Sequence, residues 1–470
     1  MTKKIILNAF TQASVSPHAI GLWKHPDHEG HRHTTTDHWV RLAQKLEKGG
    51  FQAIFFADVI GFYDVYEGSA RAALEQSVQV PAHDPLLLIS AIAHATDRIG
   101  FAVTASATYV PPYQLARQLS TLDHLTDGRI GWNIVTSYLE SEAVNFGLDG
   151  LIPHDERYDR AEEYLDVVYK LWERSWDDGA VVRDVARNQY IDPSKVRPIN
   201  HRGHYFNVPG AALVEPSRQR TPLLFQAGAS PRGRDFATKH AEAIFTNTQN
   251  QKNATVELRA FERDITERLA KHSRSREDVA IIPAVVVVVG ETEEAAKEKF
   301  EYLKSFVDYD GAAALLSGHS GIDFSQFDPD SYVEQLETDA IQSRLENYTS
   351  TNPDHRWTVR EAILYHGLTL GSEAIVGTPE QIVDRLEELV VEGGVDGFNI
   401  RQTVSPSTLE EFIDYVVPEL VRRGLYETSY DGETIREHYF GKGNERLAPS
   451  HYAHTVALDE TKKEAVAIHS

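Results

Sequence analysis

The sequence predicts an α/β protein, a (β/α)8 TIM barrel with two enlarged loop insertions. Eight apolar, β-branched runs are the first observation, at residues 4–10, 53–59, 99–106, 130–136, 222–228, 242–248, 281–290 and 395–402. Such continuous runs suit parallel strands that are buried on both faces. The second observation is that segments with helical spacing alternate with these runs, as in a barrel. An open, doubly wound sheet would also alternate in this way.

Two of the intervening segments carry clear helix signals. The first helix is predicted from near Thr36 to Gly49, and its apolar residues share one face: Trp39, Leu42, Ala43 and Leu46. The helix before the last strand begins with an N-cap, a first-turn proline and a capping-box partner: Thr378, Pro379 and Gln381.

Two stretches, 176–220 and 291–372, interrupt the alternation. In a barrel they are enlarged connections, and those at the C-terminal end of the strands cover the active site. We predict a single barrel domain over residues 1–440. Residues 441–470 are polar and weakly patterned, and we interpret them as a C-terminal surface arm.

Charge and hydropathy exclude two classes of partner. The net charge of −23 argues against nucleic acid, because phosphate contacts need a basic face. No apolar run is long enough to cross a membrane, and the first residues lack the apolar core of a signal peptide. We therefore expect a cytoplasmic enzyme with a small-molecule substrate, assembled as a homo-oligomer.

The chain contains almost no sulfur: it has no cysteine, and Met1 is its single methionine. Disulfides, thiolate nucleophiles and cysteine-ligated zinc are therefore excluded. One interpretation is lineage drift with selection against oxidisable side chains. The other is sulfur economy, which would indicate an enzyme that releases sulfur from an organic compound.

Polar residues at predicted strand ends are the first candidates for a site, because barrel enzymes bind ligands where strands end. Asp58 follows the second strand and either orients a ligand or caps a turn. Thr104 either lines a wall or reflects the β-propensity of threonine. Asn133 lies inside the fourth strand, where an amide is paired in the barrel or exposed to a ligand. We favour the ligand.

Two predicted helix starts offer an anion site. His154 and Tyr158 are four residues apart and so share one face of a first helical turn. Ser230 is a natural N-cap, with Pro231 after it. Two helix N-termini on one barrel face would suit a single phosphate. The alternative is a pair of ordinary, solvated helix starts.

The loop after the first strand is rich in histidine: His18, His25, His28, His31 and His33. Their spacing is not that of a zinc protease, and we predict no metal site and a loop that covers the ligand. The sequence has neither a P-loop nor a Gly-x-Gly-x-x-Gly motif, so neither motif supports a nucleoside triphosphate or NAD(P) site.

Several long segments, in order, resemble one branch of the bacterial-luciferase-like flavin enzymes. The segments are ADVIGFYDVYEGSA (57–70), QVPAHDP (79–85), TASATYVPPYQLARQLSTLDHLTDGRIGWNIVTS (104–137), PHDERYDRAEEYLDVVYKLW (153–172), FQAGASPRGRDFA (225–237) and EGGVDGFNI (392–400). The branch holds the nitrilotriacetate, dibenzothiophene-sulfone and dimethyl-sulfide monooxygenases. The resemblance covers Lys4 to about Tyr426.

The resemblance implies a two-component monooxygenase that uses O2 and FMN, supplied as FMNH2 by a separate NAD(P)H-dependent flavin reductase. It implies five FMN contacts: Asp58, Thr104, His154, Tyr158 and Ser230. It implies that Asn133 lies close to the flavin, which makes Asn133 a catalytic candidate. A pocket that protects the reacting flavin from water is also implied, and the 291–372 insertion would close it.

The resemblance also marks His18 and His319 as catalytic candidates, because both match positions of the sulfone enzyme that face the substrate. His319 is expected on a turn in the second insertion, with Gly318 and Gly321 as mobile flanks. Sulfur economy makes an organosulfur substrate, with carbon–sulfur cleavage, the first choice. An aminopolycarboxylate such as nitrilotriacetate is the alternative. A non-catalytic, luciferase-like flavin-binding protein also remains open.

Overall fold

A computed structural model describes residues 4–228, 230–247, 253–333 and 355–458. Within these ranges the chain forms thirteen strands: β1 (Ile6–Gln12), β2 (Ala53–Ala57), β3 (Gly100–Ser106), β4 (Ile130–Val135), β5 (Val181–Asp184), β6 (Gln189–Ile191), β7 (His201–Arg202), β8 (Asn207–Val208), β9 (Leu223–Gln226), β10 (Ala243–Asn247), β11 (Ala280–Val289), β12 (Glu373–Gly377) and β13 (Gly397–Arg401).

Eight of these strands close into a parallel barrel in the order β1, β2, β3, β4, β9, β10, β11 and β13. The closure is explicit, since β13 pairs with β11 on one side and with β1 on the other. The predicted TIM barrel is therefore confirmed, and the open sheet is excluded.

The same ranges contain fifteen α-helices: α1 (Thr36–Lys48), α2 (Arg71–Glu75), α3 (Pro85–Ala93), α4 (Pro112–Leu125), α5 (Glu140–Asn145), α6 (His154–Tyr169), α7 (Pro231–His240), α8 (Ala254–Lys271), α9 (Glu293–Lys304), α10 (Tyr309–Ser320), α11 (Val359–Thr369), α12 (Pro379–Val391), α13 (Ser407–Glu411), α14 (Val417–Arg422) and α15 (Ile435–Phe440). Both predicted helices are confirmed. The apolar face of α1 is buried, and the capping box of Thr378 and Gln381 opens α12. None of the described helices is long and apolar enough to cross a membrane.

The side chains of each barrel strand point alternately to two hydrophobic cores, one between the barrel and the helices and one inside the barrel. In β1, Leu7 and Ala9 pack outward against the helices, whereas Ile6 and Phe10 pack inside the barrel. Strand β11 is buried over its whole length, which explains its continuous run of valine and isoleucine.

The second insertion differs in one respect from the prediction. Strand β12, which was not predicted, follows it and pairs in parallel with the second half of β11, from Val285 to Val289. Its sequence, EAIVG, mixes a charged residue and glycine with apolar residues and gives no strand signal by itself, and pairing to the unusually long β11 creates the strand. Residues 334–354 of the insertion lie outside the described residues.

The first insertion contains two short antiparallel hairpins, β5–β6 and β7–β8. It leads from α6 into β9, so it lies towards the N-terminal end of the barrel, away from the strand ends that hold ligands.

The division at residue 440 stays a prediction. Of the predicted arm, residues 441–458 are described, and they contact the barrel: the Tyr452 hydroxyl donates to Asp166, and the His451 ring is within 2.8 Å of the His240 carbonyl oxygen. Residues 459–470 lie outside the described residues.

Candidate active site

An aromatic cluster fills the barrel interior below the C-terminal strand ends. The rings of Phe10 and Phe55 are 5.2 Å apart between centroids, and Phe245 lies 5.2 Å from Phe10. Phe225 extends the cluster, at 5.5 Å from Phe55. Edge-to-face contacts of this kind are favourable for aromatic rings. The cluster closes the barrel from below, so that a ligand at the mouth rests on an apolar floor.

Inward-facing polar residues lie beside this cluster, since Asn133 is the register partner of Phe225 and Thr104 that of Asn133. The Asn133 side chain donates to the Thr104 hydroxyl over 2.9 Å, and that hydroxyl donates to the Phe56 carbonyl over 2.8 Å. The Asn133 carboxamide oxygen is buried and has no hydrogen-bond partner among the described residues. Asn133 is therefore half satisfied, with an acceptor left for a ligand. The Thr104 hydroxyl is already engaged and orients Asn133.

Asp58 lies one residue beyond β2, beside a cavity of about 660 Å³ that Thr104, Ser106 and Phe146 also line. Burial and, to a smaller extent, the nearby carboxylate of Asp84 raise the pKa of the Asp58 carboxyl to about 7. The group therefore changes its protonation near neutral pH, which is unusual for an aspartate.

The two predicted helix N-termini converge. His154 opens α6, and its Nε2 atom lies 3.5 Å from Oγ of Ser230, the N-cap of α7. The Ser230 hydroxyl oxygen accepts from the Gly233 backbone N–H over 3.0 Å. Tyr158 is buried, with its ring 5.1 Å from that of His154. The predicted juxtaposition of His154, Tyr158 and Ser230 is therefore present, and two helix N-termini meet there.

His18 is buried in the loop after β1, and its ring packs 4.1 Å from the Phe10 ring between centroids. Neither ring nitrogen makes a hydrogen bond of ordinary geometry to a described residue. Burial, together with the positive charge of Arg401, holds the pKa of His18 well below its usual value. The imidazole is therefore neutral near pH 7, with one donor and one acceptor nitrogen.

The neighbouring histidines of this loop have structural contacts. His28 Nε2 lies 2.7 Å from the Val15 carbonyl oxygen, and His33 Nδ1 lies 3.1 Å from that of Gly30. Within the described ranges, no three histidine, aspartate or glutamate side chains are grouped as a metal site would need.

His319 differs from its predicted setting. It lies in the last turn of α10, not on a loop turn, and its side chain is exposed. Gly318 lies inside the helix, where an added Cβ would come 2.2 Å from the Tyr63 ring. Close packing against Tyr63 explains this glycine, and the prediction that it flanks His319 on a loop turn is wrong. Gly321 has a φ of 73° and ends the helix.

His319 belongs to a hydrogen-bonded cluster that the sequence did not reveal. The buried Tyr63 hydroxyl lies 3.4 Å from His319 Nε2 and 2.7 Å from the Tyr138 hydroxyl, and it donates to Gln79 over 3.0 Å. The His366 ring lies 5.6 Å from that of His319. Tyr63 and Gln79 fall within two of the segments that resemble the flavin monooxygenases, 57–70 and 79–85. That resemblance is the one feature of the sequence that could have selected these two residues.

The predicted residues occupy two halves of one mouth. One half holds the residues that lie in or follow β2, β3, β4 and β9 and those in the first turns or caps of α6 and α7: Asp58, Thr104, Asn133, His154, Tyr158 and Ser230. His18 lies on the other half with Arg401, the last residue of β13, whose guanidinium is 4.9 Å from the Phe10 ring. A ligand that spans the mouth would contact both halves.

The chain matches known proteins over almost all of its length. It is 46% identical to the long-chain alkane monooxygenase of Geobacillus thermodenitrificans, covering 96% of this chain and 98% of that protein. It is 44% identical to the dimethyl-sulfide monooxygenase of Hyphomicrobium sulfonivorans (99% and 96% covered). It is 39% identical to nitrilotriacetate monooxygenase component A of Aminobacter aminovorans (89% and 92%).

Solved structures agree. The crystal structure of the Hyphomicrobium sulfonivorans protein superposes with a TM-score of 0.92, covering 100% of this chain and 99% of that one. A riboflavin lyase, solved with modified FMN and riboflavin, is 32% identical with a TM-score of 0.86 (97% and 99% covered). The family model described as luciferase-like monooxygenase matches residues 17–397. The chain is thus a member of the luciferase-like monooxygenase family of flavin-dependent enzymes.

Proposed function

We propose that the protein is a two-component monooxygenase that receives FMNH2 from a separate NAD(P)H-dependent flavin reductase and oxidises a small organosulfur compound, cleaving a carbon–sulfur bond. The observation that carries the proposal is the convergence of His154, Tyr158 and Ser230 at two helix N-termini beside a mouth with unpaired polar atoms.

The residues at the mouth fit a flavin mononucleotide. Backbone N–H groups at the starts of α6 and α7, with the His154 and Ser230 side chains, would hold one phosphate. The unpaired carboxamide oxygen of Asn133 would accept from an N–H of the flavin ring, while Asp58 lies on the same half. A single phosphate position supports FMN over FAD.

When bound, the reduced flavin supplies the two electrons with which one atom of O2 enters the substrate and the other becomes water. The protein's contribution is to orient the ligands and exclude water. The phenylalanine floor keeps water out from below. The neutral imidazole of His18, packed against Phe10, donates or accepts a hydrogen bond without introducing a charge.

An organosulfur substrate is supported by the sulfur-poor composition and by the 44% identity to the dimethyl-sulfide enzyme. Oxygen insertion at a carbon bonded to sulfur gives a hydroxylated carbon, which breaks its C–S bond. A thioether then yields a carbonyl compound and a thiol, and the second oxygen atom leaves as water. An aminopolycarboxylate is the alternative, in view of the 39% identity to the nitrilotriacetate enzyme.

The word "component" in the name of the nitrilotriacetate relative supports a separate reductase. We include a homo-oligomeric state and a cytoplasmic location in the proposal. Relatives that are named as monooxygenases match nearly the whole chain, which argues against a flavin-binding protein without turnover.

The test supplies FMN, NADH, catalase and a generic flavin reductase, and offers thioethers, sulfones, sulfonates, nitrilotriacetate and long-chain alkanes. Thiol, sulfinate or sulfite release from a sulfur compound is expected, with matching carbonyl product. Chemically reduced FMN added without reductase should also support turnover. If nitrilotriacetate or alkanes are oxidised and no sulfur compound is consumed, the organosulfur proposal is contradicted. If turnover requires FAD, the assignment of FMN as the cofactor is contradicted.

A further inference from the structure

Gln12, the last residue of β1, carries a buried amide that has no partner among the described residues. Its side chain faces the barrel interior, because it alternates with Ile6 and Phe10 of the inner core. Only 1% of the residue is exposed, and neither its carboxamide nitrogen nor its oxygen forms a hydrogen bond to a described residue. Leaving such a group unpaired is costly, so it indicates a ligand that completes it.

His18 gives the same indication at the same place. Its ring lies on Phe10, the residue that precedes Gln12 on the inward face of β1. Apart from a contact with the Phe10 backbone, neither of its nitrogens forms a hydrogen bond of ordinary geometry to a described residue. Gln12 and His18 therefore flank one phenylalanine. Together they present neutral donors and acceptors to a single region of the mouth.

This region lies apart from the proposed phosphate residues, while Gln12 pairs with Ala57, the neighbour of Asp58, across β1 and β2. Strand β1 meets β13 on one side, and Arg401 at the end of β13 covers the Phe10 ring at 4.9 Å. The proposed phosphate residues lie beyond β4 and β9, which are separated from β1 by β2 and β3 in the barrel order. A ligand atom that reaches Gln12 is therefore best supplied by the substrate.

We propose that Gln12 is a specificity-determining residue whose carboxamide, with His18, hydrogen-bonds an oxygen or nitrogen atom of the substrate. The inference rests on the proposed function and deepens it by assigning the substrate a neutral polar group next to its apolar chain. A hydrocarbon of the same length leaves both side chains unpaired, so it binds less well.

Three probes with the same backbone length test this: di-n-butyl sulfone, di-n-butyl sulfide and n-nonane, which differ at the central atom. Binding is measured by calorimetry on the FMN-loaded protein, which requires no turnover, and product formation is measured in parallel. Wild-type protein should bind the sulfone most tightly. Gln12→Met, which keeps the length but removes both polar atoms, should weaken sulfone binding about 3- to 10-fold and leave nonane unchanged.

Thr11→Val is the matched control. Thr11 is the preceding residue on the opposite face, where its hydroxyl donates to Gln402 over 2.7 Å. This variant should keep the wild-type preference for the sulfone, even with a lower melting temperature.

Four results would overturn the inference. Two concern the wild-type protein: it fails to bind the sulfone, or it binds nonane at least as tightly as the sulfone. The other two concern the variants: Gln12→Met and Thr11→Val lose sulfone binding equally, or Gln12→Met loses only its affinity for reduced FMN. If wild-type protein forms no product from any sulfur compound of the wider panel while Gln12→Met selectively weakens sulfone binding, the proposed function fails and the role of Gln12 stands.

Discussion

Replacing Tyr158 by phenylalanine tests the proposed phosphate site directly. Tyr158 is 7% exposed, and a Cβ at Gly233, in the first turn of α7, would lie 2.8 Å from its hydroxyl oxygen. Burial raises the pKa of the hydroxyl, so it is a protonated donor at neutral pH. A hydrogen bond to a charged group contributes about 1.5–3 kcal/mol. Because about 1.4 kcal/mol corresponds to a tenfold change, the Kd for reduced FMN should rise roughly 10- to 100-fold.

The assay is an anaerobic titration with photoreduced FMN, monitored by equilibrium dialysis, together with thermal unfolding. Tyr164→Phe is the control, since Tyr164 lies in the same helix, is fully buried, and has a hydroxyl without a partner among the described residues. This control should bind reduced FMN like wild type. Unchanged FMN affinity in Tyr158→Phe with a lower melting temperature would show that Tyr158 only packs the helix, and would refute the reasoning.

Three further predictions concern the rest of the mouth. Because its pKa is raised to about 7, Asp58 keeps its proton in the folded state at pH values above its ordinary pKa of 3.8, and the free energy of unfolding therefore falls as pH rises from about 4 to about 7. This fall is at most about 4 kcal/mol, and urea unfolding of Asp58→Asn should lack it. The same pH dependence in Asp58→Asn and wild type would contradict the prediction. Tyr63→Phe, which removes the central hydroxyl of its cluster, should lower product yield about tenfold or more with reduced-FMN affinity unchanged; wild-type yield would contradict this. His319→Ala should retain FMN binding but release more hydrogen peroxide per reduced flavin, and normal yields of both would make it a surface residue.

The barrel was predictable because its signals are repeated and local. The unbroken valine and isoleucine run of β11 and the capping box at Thr378 each indicate an element without knowledge of the rest of the chain. Parallel topology then forces all C-terminal strand ends to one face. This is why Asp58 and Asn133, chosen only as polar residues near strand ends, lie at the same mouth.

Residues whose importance depends on pairing could not be found in this way. Gln12 was missed because the first strand was predicted to end at Phe10, whereas pairing with β2 extends it to Gln12. Tyr63 was missed because its partners, Gln79 and Tyr138, come from separate loops. Strand β12 depends in the same way on its neighbour β11. Long-range contacts, rather than local propensity, create each of these features.

His319 shows how the structure changes the test of a residue that the sequence selected. The exposed imidazole contacts the buried Tyr63 hydroxyl at 3.4 Å, and Tyr63 in turn bonds Gln79, whose side chain donates to the Pro17 carbonyl beside His18. If His319 acts through this connection, its removal adds little once the Tyr63 hydroxyl is gone. The double variant His319→Ala/Tyr63→Phe should then release as much peroxide as Tyr63→Phe alone. If the increase in peroxide yield of the double variant instead equals the product of the increases in the two single variants, the two side chains act independently.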